Sequence, residues 1–288
     1  SVSVFPVEVV RFIEKHEISV WYSVPSILAL VTEHAEMQVG DLPTLRTVLF
    51  AGEVFPTKHL SRIMRLLPHV TFANLYGPTE TNVCTAFQVP TPPDEDAPPI
   101  SIGAAISNVE TFVVSSDGTE VEAGVAGELW VRGPTVMKGY WGDPDRTAEK
   151  LVPSPIDRHL GDLVYRTGDL VEEDPDGNYR FLGRRDNQIK SRGYRIELGD
   201  IETVVGQHPS VFECGVVAVP DEMISNRIEC FVSTSGEVDE KELTRFCAES
   251  LPKYMIPGRF TVVDVLPKTS TGKIDRRSLQ EQAEAVAG

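Results

Sequence analysis

Three short stretches of this chain bring together residue types that can do chemistry. The first is Asn74-Leu-Tyr-Gly-Pro-Thr-Glu80, which follows an apolar, strand-like run. One loop there carries an aromatic ring, a glycine-proline bend, a hydroxyl and a carboxylate. The Tyr76 ring can stack on a base, the Thr79 hydroxyl can donate to a phosphate, and the Glu80 carboxylate can hold a hard cation such as Mg²⁺. Taken alone, the same loop also reads as a structural turn. The second stretch is Tyr165-Arg-Thr-Gly-Asp169. Its aspartate offers two acceptor oxygens, enough for both hydroxyls of a ribose, although an isolated Asp169 is equally an ordinary solvated turn residue. The third is Ser270-Thr-Gly-Lys273. It looks like the end of a Walker loop, but Pro267 stands where glycine is needed and Ile274 where Ser or Thr is needed. Lys273 is left as a cation on a flexible arm, or by default an exposed lysine.

Other chemistries lack their signatures. The six histidines form no HExxH and there is no GxSxG, so hydrolase and zinc-protease readings have no support. Cys84, Cys214, Cys230 and Cys247 have neither CxxC nor ligand-like spacing, which points to reduced thiols and a cytoplasmic location rather than a disulfide scaffold or zinc site. Asp174-Pro-Asp-Gly-Asn178 resembles a calcium loop, yet its glycine comes too early and Arg185 stands where the closing glutamate belongs. A hairpin turn is expected there. The formal charge of −16 repels nucleic-acid backbones and anionic membranes, while leaving room for a small anion in a locally basic cleft. No apolar run approaches membrane-spanning length.

The elements that must position these stretches follow from periodicity. The sequence predicts a helix from Pro6 to His16, a short buried strand Ile18–Tyr22, and a helix from Ser26 to Met37. A strand Thr47–Ala51, a helix Thr57–Leu67 and a strand Val70–Leu75 continue the rhythm of a parallel sheet covered by helices. Ligands of such sheets sit beyond the carboxyl ends of the strands, here near Tyr22, Gly52 and Tyr76. After the proline-rich Pro90–Pro99 segment the pattern changes to strands and tight turns, Val109–Val114 and Gly127–Gly133 among them, as in a β-rich subdomain. Beyond residue 197, helices at Leu198–Gln207 and Glu240–Ser250, strands at Val211–Val219, Ile228–Ser233 and Phe260–Val265, and a terminal helix from Asp275 make a small α+β domain. The loop Pro267–Lys273 is small and polar enough to stay mobile.

Between the two parts lies Phe181-Leu-Gly-Arg-Arg-Asp-Asn-Gln-Ile-Lys190, continuing to Glu197. Charges and amides around one glycine bury little apolar surface, so Gly183 to Asn187 is expected to stay solvated and able to change backbone angles. An ordinary charged turn is the plain alternative. Six motifs now stand in one order: Asn74–Glu80, Gly127-Glu-Leu with Gly139-Tyr-Trp, Tyr165–Leu170, Gly183–Glu197, Leu251–Pro257 and Pro267–Arg276. In this they resemble the adenylate-forming enzymes, and among them the amino-acid adenylation domains of nonribosomal peptide synthesis.

The resemblance implies an α/β fold: residues 1–184 as the carboxyl-terminal part of a large lobe, a parallel sheet plus a β-rich subdomain, and residues 185–288 as a small mobile α+β domain. It implies a carboxylic acid joined to ATP with loss of pyrophosphate, then passed to the phosphopantetheine thiol of a carrier protein. Lys273 bridges both reactants, Glu80 holds Mg²⁺, and Thr79 meets the α-phosphate. Tyr76 and Phe181 flank the adenine, with Phe181 equally readable as core, Asp169 and Arg184 meet the ribose, and Asn74 and Gly77 belong to the cofactor-binding set. Asp186 corresponds to the hinge and Gly193 to the thiol entrance. The substrate pocket maps onto Tyr22, Leu49, Ala51, Leu75, Val83 and Cys84, mostly apolar, which would leave a charged substrate side chain unpaired. A small aliphatic amino acid is implied, and the set looks like that of free-standing L-proline-loading enzymes. The family's phosphate loop and amine-binding aspartate are not found, so the chain is expected to be the carboxyl-terminal portion of a longer protein and incompetent alone. An aryl- or fatty-acid ligase of the same superfamily and a non-catalytic partner-binding fragment are the competing readings.

Overall fold

The computed structural model describes residues 5–154, 163–185, 188–221, 223–234, 236, 238–269 and 273–287. The chain divides into two compact units, Ser1–Asp186 and Asn187–Gly288. In the first, helix α1 (Pro6–Lys15), strand β1 (Val20–Ser23), α2 (Pro25–His34), β2 (Thr47–Ala51), α3 (Thr57–Leu66) and β3 (Thr71–Tyr76) alternate. Pro6 and Pro25 occupy first turns, where a missing N–H costs nothing and the fixed φ suits a helix. Strands β1, β2 and β3 run parallel. β4 (Thr85–Val89) and β5 (Ala104–Ala105) extend the sheet antiparallel, in the order β1-β2-β3-β4-β5. Val48, Phe50 and Phe72 point from one face of this sheet into a core with Leu28, Leu60 and Ile63 of the helices. Each such fully buried side chain contributes about 1.5–3 kcal/mol relative to exposure.

The strand at residues 20–23 is not buried as the sequence predicts. Val20 and Tyr22 are 54% and 59% exposed, because β1 forms the sheet edge and only Trp21 turns to the helices. Apolar composition marked a strand there but carried no information about its place in the sheet.

A second, antiparallel sheet contains β6 (Glu110–Val114) and β7 (Gly127–Arg132), followed after helix α4 (Pro144–Lys150) by β8 (Leu151–Pro153), β9 (Leu163–Glu173) and β10 (Tyr179–Arg184). Its order is β10-β9-β7-β6, with β8 on β9. The turn at Asp174 is the expected hairpin: its Oδ1 accepts from the N–H groups of Asp176 and Asn178, joining β9 to β10. The two sheets of this unit share a core of Tyr76, Cys84, Ile102, Leu129, Val131, Val171 and Tyr179.

In the second unit a hairpin of β11 (Gln188–Ser191) and β12 (Tyr194–Glu197) precedes α5 (Leu198–Val205), β13 (Val211–Asp221), β14 (Ser225–Thr234), α6 (Glu240–Ser250), β15 (Arg259–Val262) and α7 (Arg276–Ala287). β13 and β14 pair antiparallel, and β15 adds parallel to β14. Asp239 caps α6 by accepting from the Lys241 N–H. The hairpin turn places Arg192 and Gly193 at φ 52° and 78°, both left-handed, as a tight primed turn requires. Of the segment Gly183–Asn187, expected to stay solvated, Gly183 and Arg184 lie in the β9–β10 ladder, Arg185 is exposed, and residues 186 and 187 lie outside the described residues. All four cysteines are reduced and buried, and burial pushes the Cys84 thiol up to about 12. Among the described residues no helix is long and apolar enough to cross a membrane.

Candidate functional site

Strand β3 ends at Tyr76, and the chain leaves it through Gly77 and Pro78 at the carboxyl edge of the parallel sheet. The bend is tight. A Cβ on Gly77 would lie 1.7 Å from the Asn82 carbonyl oxygen, so only glycine lets residues 77–82 fold back on themselves. Thr81, fully buried, donates to the carbonyls of Pro78 and Asn82 and closes the loop from inside. Gly77→Ala is expected to displace this loop at a cost of about 1–3 kcal/mol. Thermal unfolding checks it, and an unchanged melting temperature contradicts it.

Burial sorts the loop's predicted residues. Asn74 is buried and donates through Nδ2 to the Ser101 carbonyl at 2.8 Å, bracing the strand from within. Thr79 is exposed. Glu80 is buried at 8% exposure, and its Oε1 accepts from the Tyr140 hydroxyl at 2.7 Å. Tyr140 is in turn held by Arg146 over its ring and by its own N–H donating to Thr147. Burial, with the Glu80 carboxylate beside it, raises the Tyr140 hydroxyl above the usual phenol range.

Three stretches far apart in sequence meet at Asp169. The Tyr76 hydroxyl donates to its Oδ2 and Arg184 Nη1 to its Oδ1, the latter at 2.6 Å. The aspartate and arginine side chains are 3% and 10% exposed. Register explains the meeting: a bulge between Phe181 and Gly183 shifts β10 so that Arg184 lies opposite Asp169. Thr167 fixes the aspartate's backbone by accepting from its N–H while donating to the Leu129 carbonyl. Burial first, then the neighbouring carboxylate, pushes the Tyr76 hydroxyl well above the ordinary phenol range, so it stays a donor. The expectation of solvent around Arg184 is thereby corrected, since a buried carboxylate facing it draws its guanidinium inward. Phe181 is half-buried and packs against the cluster that contains Tyr76.

Of the predicted pocket residues, Tyr22, Leu49, Ala51 and Leu75 lie on one face of the parallel sheet, opposite the helix-covered core. Tyr22 pairs with Leu49 and Ala51 with Leu75. Val83 is half-buried beside the loop. Cys84 departs from that face: it is fully buried in the core between the two sheets, where its small apolar thiol packs under Tyr76. A 420 Å³ cavity near Met64, Arg65, Val70 and Gln88 is far from this chemistry, since it lies at the amino end of β3.

Lys273 and Gly193 belong to the second unit. Lys273 is exposed, but the base of its loop is pinned rather than loose. Thr269 N–H donates to the Lys273 carbonyl at 2.7 Å, Asp275 N–H donates to Pro267, and Lys268 bridges to Ile274. Residues 270–272 and Asp186, the expected hinge, lie outside the described residues.

Sequence reasoning quoted Glu128 and Tyr140 within a motif but gave neither a role. Glu128 is buried at 4% exposure and accepts from Arg166, Arg185 and the Gly168 N–H. Burial works against its ionisation. The Trp130 indole, Arg166, Arg185 and Gly168 outweigh it, and the carboxyl is held below the ordinary glutamate range. The Trp130 indole N–H is buried beside this carboxylate but does not reach hydrogen-bond geometry. The available signal was a carboxylate inside the apolar run Gly127-Glu-Leu-Trp-Val131, a place charges occupy only when paired.

The loop leaves the carboxyl edge of the parallel strands, where ligands of open α/β sheets bind. The chain belongs to the AMP-binding enzyme family: that family's profile matches residues 2–141, and the profile of its C-terminal domain matches residues 200–273. It is 41% identical over 285 residues to an L-proline--[L-prolyl-carrier protein] ligase of Pseudomonas fluorescens, covering 99% of this chain and 54% of that protein. A Streptomyces coelicolor protein of the same description is 41% identical over 272 residues, covering 93% of this chain and 49% of its own length. The crystal structure of IdnL1 superposes with a TM-score of 0.82 at 36% identity, covering 91% of this chain and 54% of that one. The chain thus spans about half the length of the curated relatives it matches.

Proposed function

We propose that this chain acts as the carboxyl-terminal portion of an ATP-dependent amino acid–carrier protein ligase, with L-proline as substrate. The observation that carries the reading is the convergence of Tyr76, Asp169 and Arg184 at the carboxyl edge of the parallel sheet. A carboxylate accepts up to four hydrogen bonds, so Asp169 keeps capacity for ribose hydroxyls with both protein donors in place. Tyr76 and Phe181 supply apolar faces for adenine, braced by Asn74 and by the bend at Gly77. Thr79, exposed on the loop, is available to the α-phosphate.

Among the described residues no group of three or more His, Cys, Asp or Glu is arranged to hold a metal. Mg²⁺ is usually held by one or two carboxylates plus substrate phosphates, and Glu80 would supply the carboxylate here. When bound there, the ion would supply positive charge against the phosphates. Lys273 brings the second positive charge, between the substrate carboxylate and the α-phosphate.

Proline is supported by the apolar strand face of Tyr22, Leu49, Ala51 and Leu75, where a charged side chain would lack partners, and by similarity to L-proline--[L-prolyl-carrier protein] ligases. Residues 185–288 then serve as a small mobile domain that turns about Asp186, exchanging Lys273 for the loop at Gly193 at the thiol entrance. The carrier protein's phosphopantetheine is the acyl acceptor.

The test is ATP–pyrophosphate exchange over a panel of amino, aryl and fatty acids, with this chain alone and with a complete protein containing it. Proline-dependent exchange by the complete protein and none by the chain alone is expected. Exchange with aryl or fatty acids only, or with no acid, overturns the reading. Asp186→Pro, which locks one backbone angle, is expected to spare exchange and lower carrier loading by more than about tenfold. Equal loss of both half-reactions removes the hinge from Asp186.

A further inference from the structure

Arg184 ends the first unit's last strand and Arg185 follows it, and each side chain ends on a buried carboxylate. Arg184 reaches Asp169, as described above. Arg185 goes the other way: its Nη1 donates to Glu128 Oε2 at 2.7 Å, while its backbone N–H donates to the Gly168 carbonyl at 2.9 Å. Gly168 closes the ring, its own N–H donating to Glu128 Oε1 at 3.0 Å. Arg166 donates to the same Oε2 at 3.3 Å. Side chain and backbone of one residue are therefore held by Gly168 of β9 and the Glu128 carboxylate of β7. The residue so held is the last described one before the boundary between the two units.

The Arg185 side chain is 43% exposed, and an exposed ion pair by itself contributes little. This pair differs at its other end. Glu128 is 4% exposed, so its charge needs its donors, and the guanidinium is one of only two cationic groups bonded to it among the described residues.

We propose that Glu128 and Arg185 form an anchor that fixes the first unit's side of the joint, making Arg185 a positioning residue for thioester formation rather than for adenylation. This rests on the ligase reading given above. Arg185 touches neither Asp169 nor the 74–80 loop in any hydrogen bond or ion pair among the described residues, so adenylation does not depend on its charge directly. Turning about the adjacent position does depend on a rigid base. A base that frays lets the second unit reach many orientations, of which one aligns the thiol.

The experiment uses the complete protein carrying Arg185→Met or Arg185→Lys. Amide hydrogen exchange is followed over peptides spanning residues 179–191, with pyrophosphate exchange and carrier loading measured separately. For Arg185→Met, exchange in those peptides is expected to quicken about tenfold, because a charge-assisted bond holding the strand end is lost. Carrier loading is expected to fall about tenfold while pyrophosphate exchange stays within about twofold of the parent. Arg185→Lys, which keeps the charge, restores most of both. Unchanged amide exchange in Arg185→Met overturns the anchor, and so does an equal fall in both half-reactions. If the unaltered protein adenylates no amino acid, the ligase reading fails while the amide exchange still decides whether the anchor exists.

Discussion

Lys273→Ala in the complete protein is expected to abolish amino-acid-dependent pyrophosphate exchange while leaving the fold intact. The chemical difficulty is bringing a carboxylate up to a polyanion, and a cation placed between them relieves it. At about 4 Å and an effective dielectric near 20, one such charge is worth about 4 kcal/mol, or nearly three powers of ten in rate. The fold is spared for a structural reason. Lys273 is exposed, and the contacts that pin its loop run through backbone atoms of Thr269, Lys273, Pro267 and Asp275. Arg276 adds an ion pair to Glu202 at 2.5 Å, tying the start of α7 to α5 independently of the lysine side chain. Exchange rates and a melting curve check both halves of the statement. Unchanged exchange removes Lys273 from the reaction.

Asp169→Ala is expected to damage stability and activity together. Its carboxylate is buried, and its removal takes from Arg184 and from the Tyr76 hydroxyl the acceptor that faces each. Breaking a buried pair on one side costs about 3–5 kcal/mol, a large share of the roughly 5–15 kcal/mol that holds a typical domain. A melting temperature lower by about 10 °C follows. Tyr76→Phe removes one hydroxyl and is expected to cost only about 1 kcal/mol, which separates loss of a hydrogen bond from loss of the charge partner. If Asp169→Ala melts with the parent, the cluster is not the brace its geometry describes. If it folds and still supports pyrophosphate exchange at the parent rate, the ribose role falls.

Much of the fold was legible because it is written in local periodicity. Thr47–Ala51 and Glu240–Ser250 are a strand and a helix with the bounds their apolar spacing predicts. Pro6 marks a helix start because the pyrrolidine ring acts on its own backbone. The misreadings share one cause. The strand at 20–23 was taken as buried, yet it sits at a sheet edge, and edge or centre depends on neighbours distant in sequence. Arg184, inside the segment 183–187 read as solvated, turns inward because its partner Asp169 lies on another strand.

By itself, the order of residues determined which side chains carry usable chemistry and which segments form helices and strands, since reactivity and backbone preference belong to each residue and its near neighbours. Tertiary structure decided what those side chains do. A Tyr76 hydroxyl and an Arg184 guanidinium close on one carboxylate only after two sheets pack and a bulge sets the register. A glutamate inside an apolar strand becomes a fixed anion only when arginines from elsewhere surround it. Coulombic and hydrogen-bonding energies depend on distance in space and on exclusion of water, and neither quantity is a property of sequence separation.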